Sequence, residues 1–393
     1  MTTILAPFAS PLYVMLKPVG ATCNLRCKYC YYTGKKDLYP NQKQHVMSES
    51  LLETFVKHYL ESQTAPQAMF TWHGGEALMR GIDFYKRALI LQQQYGQGRQ
   101  IDNCLQTNGV LLDDEWCRFF KAHNFLIGIS IDGPQHCHDR YRRYANGQAS
   151  FEHVMRGINL LKKHEVEFNI MAVVNDHNVN YPLEFYHFFK EIDCRFIQFT
   201  PIVEQQPDGS PALYNVPSDK WGDFLIAIFD EWVRKDVGQF FVQFFDSTLA
   251  NWVGQQPGTC TLAKTCGHAG VMEFNGDIYA CDHFVSPQYK RGNICSQTLV
   301  EMMYSPEQIQ FGADKHERLP TRCKACRFLF ACHGECPKNR IVNTSDGQQG
   351  LNYLCEGYYT FFEHAAPYMD FMKNELLNKR SPANVMRSLC VSE

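Results

Sequence analysis

The chain has 393 residues, 45% hydrophobic and 20% charged, with a net charge of −3. That composition fits a folded protein with room for two domains. With no basic run it excludes an electrostatic nucleic-acid binder. No apolar stretch reaches the roughly 18 residues a membrane-spanning helix needs. The start, Met1 to Tyr13, carries no basic leader, so no signal peptide and a cytoplasmic location are expected. Seventeen cysteines in such a chain point to metal binding in a reducing compartment rather than to a disulfide scaffold.

Tyr13 to Leu16 predicts a strand that leads into a cysteine loop, Cys23-x3-Cys27-x2-Cys30, with Tyr29 directly before the third cysteine. Each iron of a [4Fe–4S] cluster wants a thiolate, so three clustered cysteines leave one iron open to chelate a small molecule. The alternatives are a zinc site or a disulfide knot, but zinc motifs usually come as two CxxC pairs and this loop holds only one, Cys27-x2-Cys30. Leu51, Leu52, Phe55, Val56, Tyr59 and Leu60 recur at helical spacing behind a capping Ser48. Strands are expected at residues 69–72, 101–106, 126–131, 168–174 and 196–200. Helices near 84–94, 114–122, 151–163, 181–190 and 221–233 alternate with them. Six strand–helix units imply a parallel sheet with helices outside. They are too few for an eight-fold barrel, so a partial, open (β/α)6 barrel is expected, with its site at the C-terminal strand ends.

After about residue 245 the pattern changes, and regular elements are expected to be short. Asn275-Gly276 between strand-like runs signals a hairpin, and a short helix is expected at 299–303. This part carries Cys260-x5-Cys266-x14-Cys281 and Cys323-x2-Cys326-x5-Cys332-x3-Cys336-x18-Cys355. Eight cysteines suit two fully ligated [4Fe–4S] clusters or, equally, two structural zinc ions. Spacing does not assign cysteines to metals.

The cysteine loop, with its aromatic residue, resembles the radical S-adenosylmethionine (SAM) superfamily. The second array resembles the SPASM domain, an auxiliary-cluster domain of peptide-modifying members. From about Pro11 to Tyr368 the chain is similar to the anaerobic sulfatase-maturating enzymes. The supporting motifs are Lys17-Pro18, Tyr31-Tyr32, Gly74-Gly75-Glu76, Gln106-Thr107-Asn108-Gly109, Ser130-Ile131-Asp132-Gly133-Pro134, Cys281-Asp282 and Asn352-Tyr353-Leu354-Cys355. The implied architecture is α/β: a partial (β/α)6 radical SAM barrel at 9–245 and a cysteine-rich SPASM domain with two auxiliary clusters at 246–393.

The resemblance implies three [4Fe–4S] clusters and SAM. Cys23, Cys27 and Cys30 would hold the SAM cluster. Cys260, Cys266, Cys281 and Cys336 would hold one auxiliary cluster, and Cys323, Cys326, Cys332 and Cys355 the other. Gly74, Gly75 and Glu76 would meet the methionine amine, the carboxylate of Glu76 being able to accept from an ammonium. Ser130 would contact SAM, and Arg142 would pair with its carboxylate. Tyr29 and Ile197 would add backbone or apolar contacts. Asp282 would be the catalytic base, and Tyr32 and His73 would contact substrate. The six other cysteines are expected to be buried hydrophobes or exposed spares.

The implied reaction is oxidation of a cysteine or serine, within Cys/Ser-x-Pro-x-Arg of an unfolded sulfatase polypeptide, to Cα-formylglycine. A 5′-deoxyadenosyl radical would take the Cβ hydrogen. A small electron donor such as flavodoxin or ferredoxin is implied as a further partner. The alternatives are another SPASM maturase, forming a thioether or carbon–carbon crosslink, or a zinc-bound, non-catalytic scaffold. Which residue is oxidised, the cognate sulfatase and the oligomeric state are not legible.

Overall fold

The computed structural model describes residues 12–42, 44–267 and 269–390. Most of the segment read for a leader, the domain start at residue 9 and the last residues of the 246–393 domain lie outside the described residues.

In chain order the first elements are β1 (Tyr13–Leu16), α1 (Glu49–Ser62), β2 (Gln67–Trp72), α2 (Ile82–Tyr95), β3 (Gln100–Thr107), α3 (Asp114–Ala122), β4 (Leu126–Ser130), α4 (Gln135–Tyr141) and α5 (Phe151–Lys163). Then come β5 (Phe168–Val174), α6 (Pro182–Glu191), β6 (Phe196–Pro201), α7 (Ser218–Lys235), β7 (Phe241–Val242) and α8 (Gln243–Trp252). The cysteine-dense part holds β8 (Ala269–Met272), β9 (Asp277–Tyr279), β10 (Lys290–Asn293), α9 (Leu299–Met303), α10 (Pro306–Glu317), α11 (Thr321–Lys324) and α12 (Leu329–Cys332). The hairpin strands β11 (Val342–Asn343) and β12 (Gln349–Leu351) precede α13 (Cys355–Leu377) and α14 (Asn384–Cys390). The expected strand–helix alternation is therefore present. The expectation of only short elements after residue 245 is not met: α13 alone runs 23 residues.

The chain forms two compact units, each built from separated stretches. The first comprises residues 1–130, 141–168 and 267–312; the second comprises 131–140, 169–266 and 313–393.

In the first unit β1 to β4 pair in parallel, in order. β8 joins on the other side of β1, also parallel, with Met15 opposite Val271. β9 and β10 continue the sheet antiparallel. The Asn275-Gly276 turn closes the β8–β9 hairpin with Gly276 at φ +88°, a conformation that favours glycine. α1 buries Leu51, Leu52, Phe55, Val56, Tyr59 and Leu60, as its periodicity requires, and Ser48 Oγ caps it by accepting from Leu51 N at 3.2 Å. Parallel pairing brings the loops after β1, β2, β3 and β4 to one sheet edge. Those loops carry the cysteines, Gly74-Gly75-Glu76, Asn108 and Ser130.

In the second unit β5, β6 and β7 pair in parallel. Helix α13 packs on α7 at very short range, because both offer glycine at the crossing. A Cβ on Gly357 would lie 2.1 Å from the Ser218 carbonyl oxygen. Around it an aromatic core forms, with Phe245 and Phe361 stacked at 5.6 Å. Among the described residues no helix is long and apolar enough to cross a membrane.

Candidate active site

The cysteine loop is fixed on several sides. Arg26 N donates to Arg143 O at 2.7 Å, Lys28 N to Tyr141 O at 3.1 Å, and Cys30 N to Cys27 O at 3.2 Å. The loop after β2 locks onto its base. Gly75 N donates to Gly20 O at 2.7 Å and Glu76 N to Thr22 O at 2.9 Å. A Cβ at Gly75 would lie 2.1 Å from the Thr22 carbonyl oxygen, so no side chain fits there. This glycine serves the approach of two protein backbones.

Glu76 is turned inward and is 1% exposed. Its carboxylate accepts from Thr107 Oγ1 at 2.7 Å, Asn108 N at 2.8 Å and Leu78 N at 3.0 Å. Burial raises its pKa while these donors oppose the rise. These bonds brace the loop after β2 against the end of β3, and Oε2, with a single donor, keeps acceptor capacity. Asn108 extends the brace to the cysteine loop, donating to Asn24 Oδ1 at 2.8 Å and lying 3.8 Å from the Cys23 thiol.

Ser130 ends β4 and accepts from Gln106 Nε2 at 2.9 Å. Burial singles out Arg142 among its neighbours: it is 8% exposed, whereas Arg140 and Arg143 are exposed. Its guanidinium lies 5.5 Å from the Tyr29 ring centroid. Ile197 lies in β6 of the second unit, buried between Ile170 and Val242.

A polar network fills the first unit beyond the cysteine loop. Asp282 sits in the turn after β9, and its Oδ1 pairs with Lys17 Nζ at 2.7 Å. Tyr31 donates its hydroxyl to the other carboxylate oxygen. Burial opposes ionisation of Asp282, but the Lys17 ammonium overrides it and holds the carboxyl well below its ordinary range. Lys17 is itself wholly buried. Its Nζ also lies 3.1 Å from His73 Nδ1 and 4.2 Å from the Tyr32 ring centroid. Burial, reinforced by that cation, pushes His73 down to about 4, so the ring is neutral near pH 7. Gly74 N donates to Nδ1 at 2.8 Å. Two donors on Nδ1 outweigh the Gly74 carbonyl at 3.3 Å and assign the hydrogen to Nε2.

Tyr32, expected to contact substrate, is set inward. It is 3% exposed, packs against Val271, Tyr279 and Val285, and donates to Glu273. Burial pushes Glu273 up to about 8. Tyr31 is the residue of the pair that reaches Asp282.

The thiols of the second unit fall into two sets. Cys323, Cys326, Cys332 and Cys355 line one cavity of about 160 Å³, walled by Phe328, Leu329, Tyr358 and Phe362. Burial pushes Cys332 up to about 12 and Cys355 up to about 11, so these thiols keep their protons until a metal displaces them. Four converging thiols in an apolar chamber fit a fully ligated [4Fe–4S] cluster. The charges of Cys260, Cys266 and Cys336 all act on Lys315, a wholly buried lysine whose Nζ donates to Cys260 O at 2.5 Å and Thr261 O at 2.8 Å. Arg340 feels Cys323, Cys336 and Cys266 and donates to the carbonyls of His333, Gly334 and Glu335. A buried lysine and a half-buried arginine among thiols, with the buried Glu335 carboxyl beside them, suit a cluster whose four thiolates leave it net negative. Of the other cysteines, Cys117, Cys137 and Cys194 are buried, Cys104 is half-buried, and Cys295 is exposed; the Cys390 side chain is outside the described residues. Lys17, Tyr31, Lys315 and Arg340 had no assigned role in the sequence reading. Only Lys17 and Tyr31 carried a signal there, as members of quoted motifs.

An open cysteine loop at the C-terminal edge of a parallel sheet, with a second thiol-rich region, defines a radical SAM enzyme with auxiliary clusters. The radical SAM superfamily profile matches residues 18–189, and that of the SPASM iron–sulfur cluster-binding domain matches residues 266–327. A serine-type anaerobic sulfatase-maturating enzyme of Bacteroides thetaiotaomicron is 62% identical over 98% of this chain and 97% of its own. A cysteine-type counterpart from Clostridium perfringens is 31% identical over 93% of this chain and 99% of its own. The solved structure of native anSMEcpe with bound AdoMet superposes with a TM-score of 0.83 at 31% identity, covering 93% of this chain and 100% of that one. Streptococcus suis SuiB, at 14% identity and a TM-score of 0.61 over 88% of this chain and 77% of its own, shares the fold alone. The chain belongs to the anaerobic sulfatase-maturating enzymes. It is a radical SAM oxidoreductase that uses SAM and [4Fe–4S] clusters, three of which its cysteine sets accommodate.

Proposed function

We propose that the enzyme oxidises a serine in a Ser-x-Pro-x-Arg segment of an unfolded sulfatase to Cα-formylglycine, Asp282 being the base. The 62% identity to a serine-type relative supports serine over cysteine. A relative solved with AdoMet and Cp18Cys peptide supports an extended peptide substrate. The single observation that carries the reading is the Asp282 carboxylate, held by Lys17 and Tyr31.

Cys23, Cys27 and Cys30 would hold the SAM cluster, with Gly74, Gly75, Glu76, Ser130, Arg142, Tyr29 and Ile197 around SAM. Cys260, Cys266, Cys281 and Cys336 hold one auxiliary cluster; Cys323, Cys326, Cys332 and Cys355 hold the other. When bound, these groups supply a hydrogen-atom acceptor for Cβ and an acceptor for one electron. Asp282 takes the remaining proton, so the side chain loses two hydrogens in all. A carboxylate of low basicity does not deprotonate a serine hydroxyl. A hydroxyl on a carbon that has already lost a hydrogen atom is far more acidic, so Asp282 acts after that loss. His73, neutral and carrying its hydrogen on Nε2, donates to the substrate oxygen. Residues 9–245 then form the catalytic domain and 246–393 the auxiliary-cluster domain, working in the cytoplasm with a small electron donor.

The test is a product mass. The anaerobically reconstituted protein, given SAM, reductant and a Ser-x-Pro-x-Arg peptide, should return a peptide two hydrogens lighter that reacts with a hydrazine. Deoxyadenosine with no aldehyde would move the substrate elsewhere.

A further inference from the structure

We propose that Lys17 is a positioning residue of the oxidation: one buried ammonium aims the Asp282 carboxylate and fixes His73 as an Nε2–H donor. The proposal rests on the reading of Asp282 as the base.

Lys17 lies just past β1 and is 0% exposed. Its Nζ meets Asp282 Oδ1 at 2.7 Å, His73 Nδ1 at 3.1 Å and the Tyr32 ring at 4.2 Å. These partners come from the turn after β9, the end of β2 and the cysteine loop. Glu273, at the end of β8, adds a second nearby carboxyl. Burying an ammonium costs several kcal/mol, which only its partners offset. A leucine or methionine would fill the same space without that cost, so the charge itself is what the position uses.

The geometry shows that use. With Oδ1 on Lys17 and Oδ2 on Tyr31, neither carboxylate oxygen can rotate away. The ammonium has no acceptor capacity, so it forces His73 Nδ1 to be the acceptor. The imidazole hydrogen is then on Nε2, at the edge of the ring away from the lysine. A single cation thus sets the direction of the base and the tautomer of a donor 56 residues away.

The holoenzyme with Lys17→Met is assayed for iron, for 5′-deoxyadenosine and for formylglycine. Binding of a fluorescein-labelled Ser-x-Pro-x-Arg peptide is read by anisotropy. Iron content, deoxyadenosine yield and peptide affinity should stay within about threefold of wild type. Formylglycine formed per deoxyadenosine should fall by about 100-fold or more, the scale of a lost general base. A ratio within about threefold of wild type overturns the proposal. Lys17→Met leaves Asp282 buried without its partner, so a variant that loses iron is followed by the Lys17→Met, Asp282→Asn double variant, which removes the pair together. Its product ratio should equal that of Asp282→Asn alone. A further tenfold fall, or loss of iron from the double variant as well, makes Lys17 structural and the proposal wrong. Wild-type protein that forms no formylglycine would instead sink the reading of function on which this rests.

Discussion

Lys17 and Lys315 are both wholly buried, one in each compact unit, and their neighbours give them different work. Lys17 faces a carboxylate and an imidazole, groups that can exchange a proton, and the ring of the buried Tyr32. Lys315 faces backbone carbonyls, three thiols and the buried Glu335 carboxyl. The first cation orients side chains. The second neutralises charge that accumulates when thiols become thiolates. The same residue type thus meets a carboxylate and an imidazole in one unit and a thiol set in the other.

The largest expected effect removes the frame under the first lysine's site. Gly75→Ala would place a methyl 2.1 Å from the Thr22 carbonyl oxygen and push the cysteine loop away. Iron and sulfide analysis should show about four irons fewer per chain, one cluster's worth; full iron content would mean that the close approach does not hold the loop.

Lys315→Met comes next. Leaving buried thiolates uncompensated should cost about 3–5 kcal/mol in anaerobic denaturation. It should also move an auxiliary-cluster potential to more negative values in an EPR-monitored titration. Unchanged potentials with a lowered product ratio would erase the contrast between the two lysines.

Glu76→Gln should cost about 1–3 kcal/mol, because one of three donors would face an amide NH₂. Calorimetry of the reconstituted protein checks it. Strongly weakened SAM binding at unchanged stability would instead show that the carboxylate acts mainly on the cofactor.

The smallest effect concerns pH. His73 has a pKa depressed from 6.5 to about 4. The unfolded ring gains a proton first as pH falls, so its contribution to stability is intact above about 6.5 and is lost from there towards about 4. Between pH 7 and 8 the activity should carry no inflection from this ring. An inflection in that range that vanishes in His73→Ala would show that the ring is not held neutral.

Much of this was legible in the chain. The first cysteine loop, the alternating strands and helices and the Asn275-Gly276 hairpin all rest on local spacing, and the structure has them in place. Helix α13 was legible too: Tyr358, Phe361, Phe362, Ala365, Met369 and Met372 mark one buried face. Its opening cysteine and the internal Pro367 disguised it. The pairing of β8 with β1 leaves no local trace, since the partners lie far apart in sequence. The same holds for the site. Asp282 was found through its neighbouring cysteine, whereas Tyr31 reaches it across 251 residues. The expected cofactor role of Glu76 comes from its place after two glycines in a motif of the family; its three protein donors are visible only in the fold. Tyr31 and Tyr32 are adjacent and chemically alike, and the course of the turn after the cysteine loop decides which one meets the base.

The most direct measurement is the ratio of formylglycine to 5′-deoxyadenosine made by Asp282→Asn with its iron content verified. The account predicts normal SAM cleavage and cluster content with formylglycine reduced by about 100-fold or more. A ratio close to that of wild type would show that Asp282 is not the base and that the Lys17 network around it serves some other end.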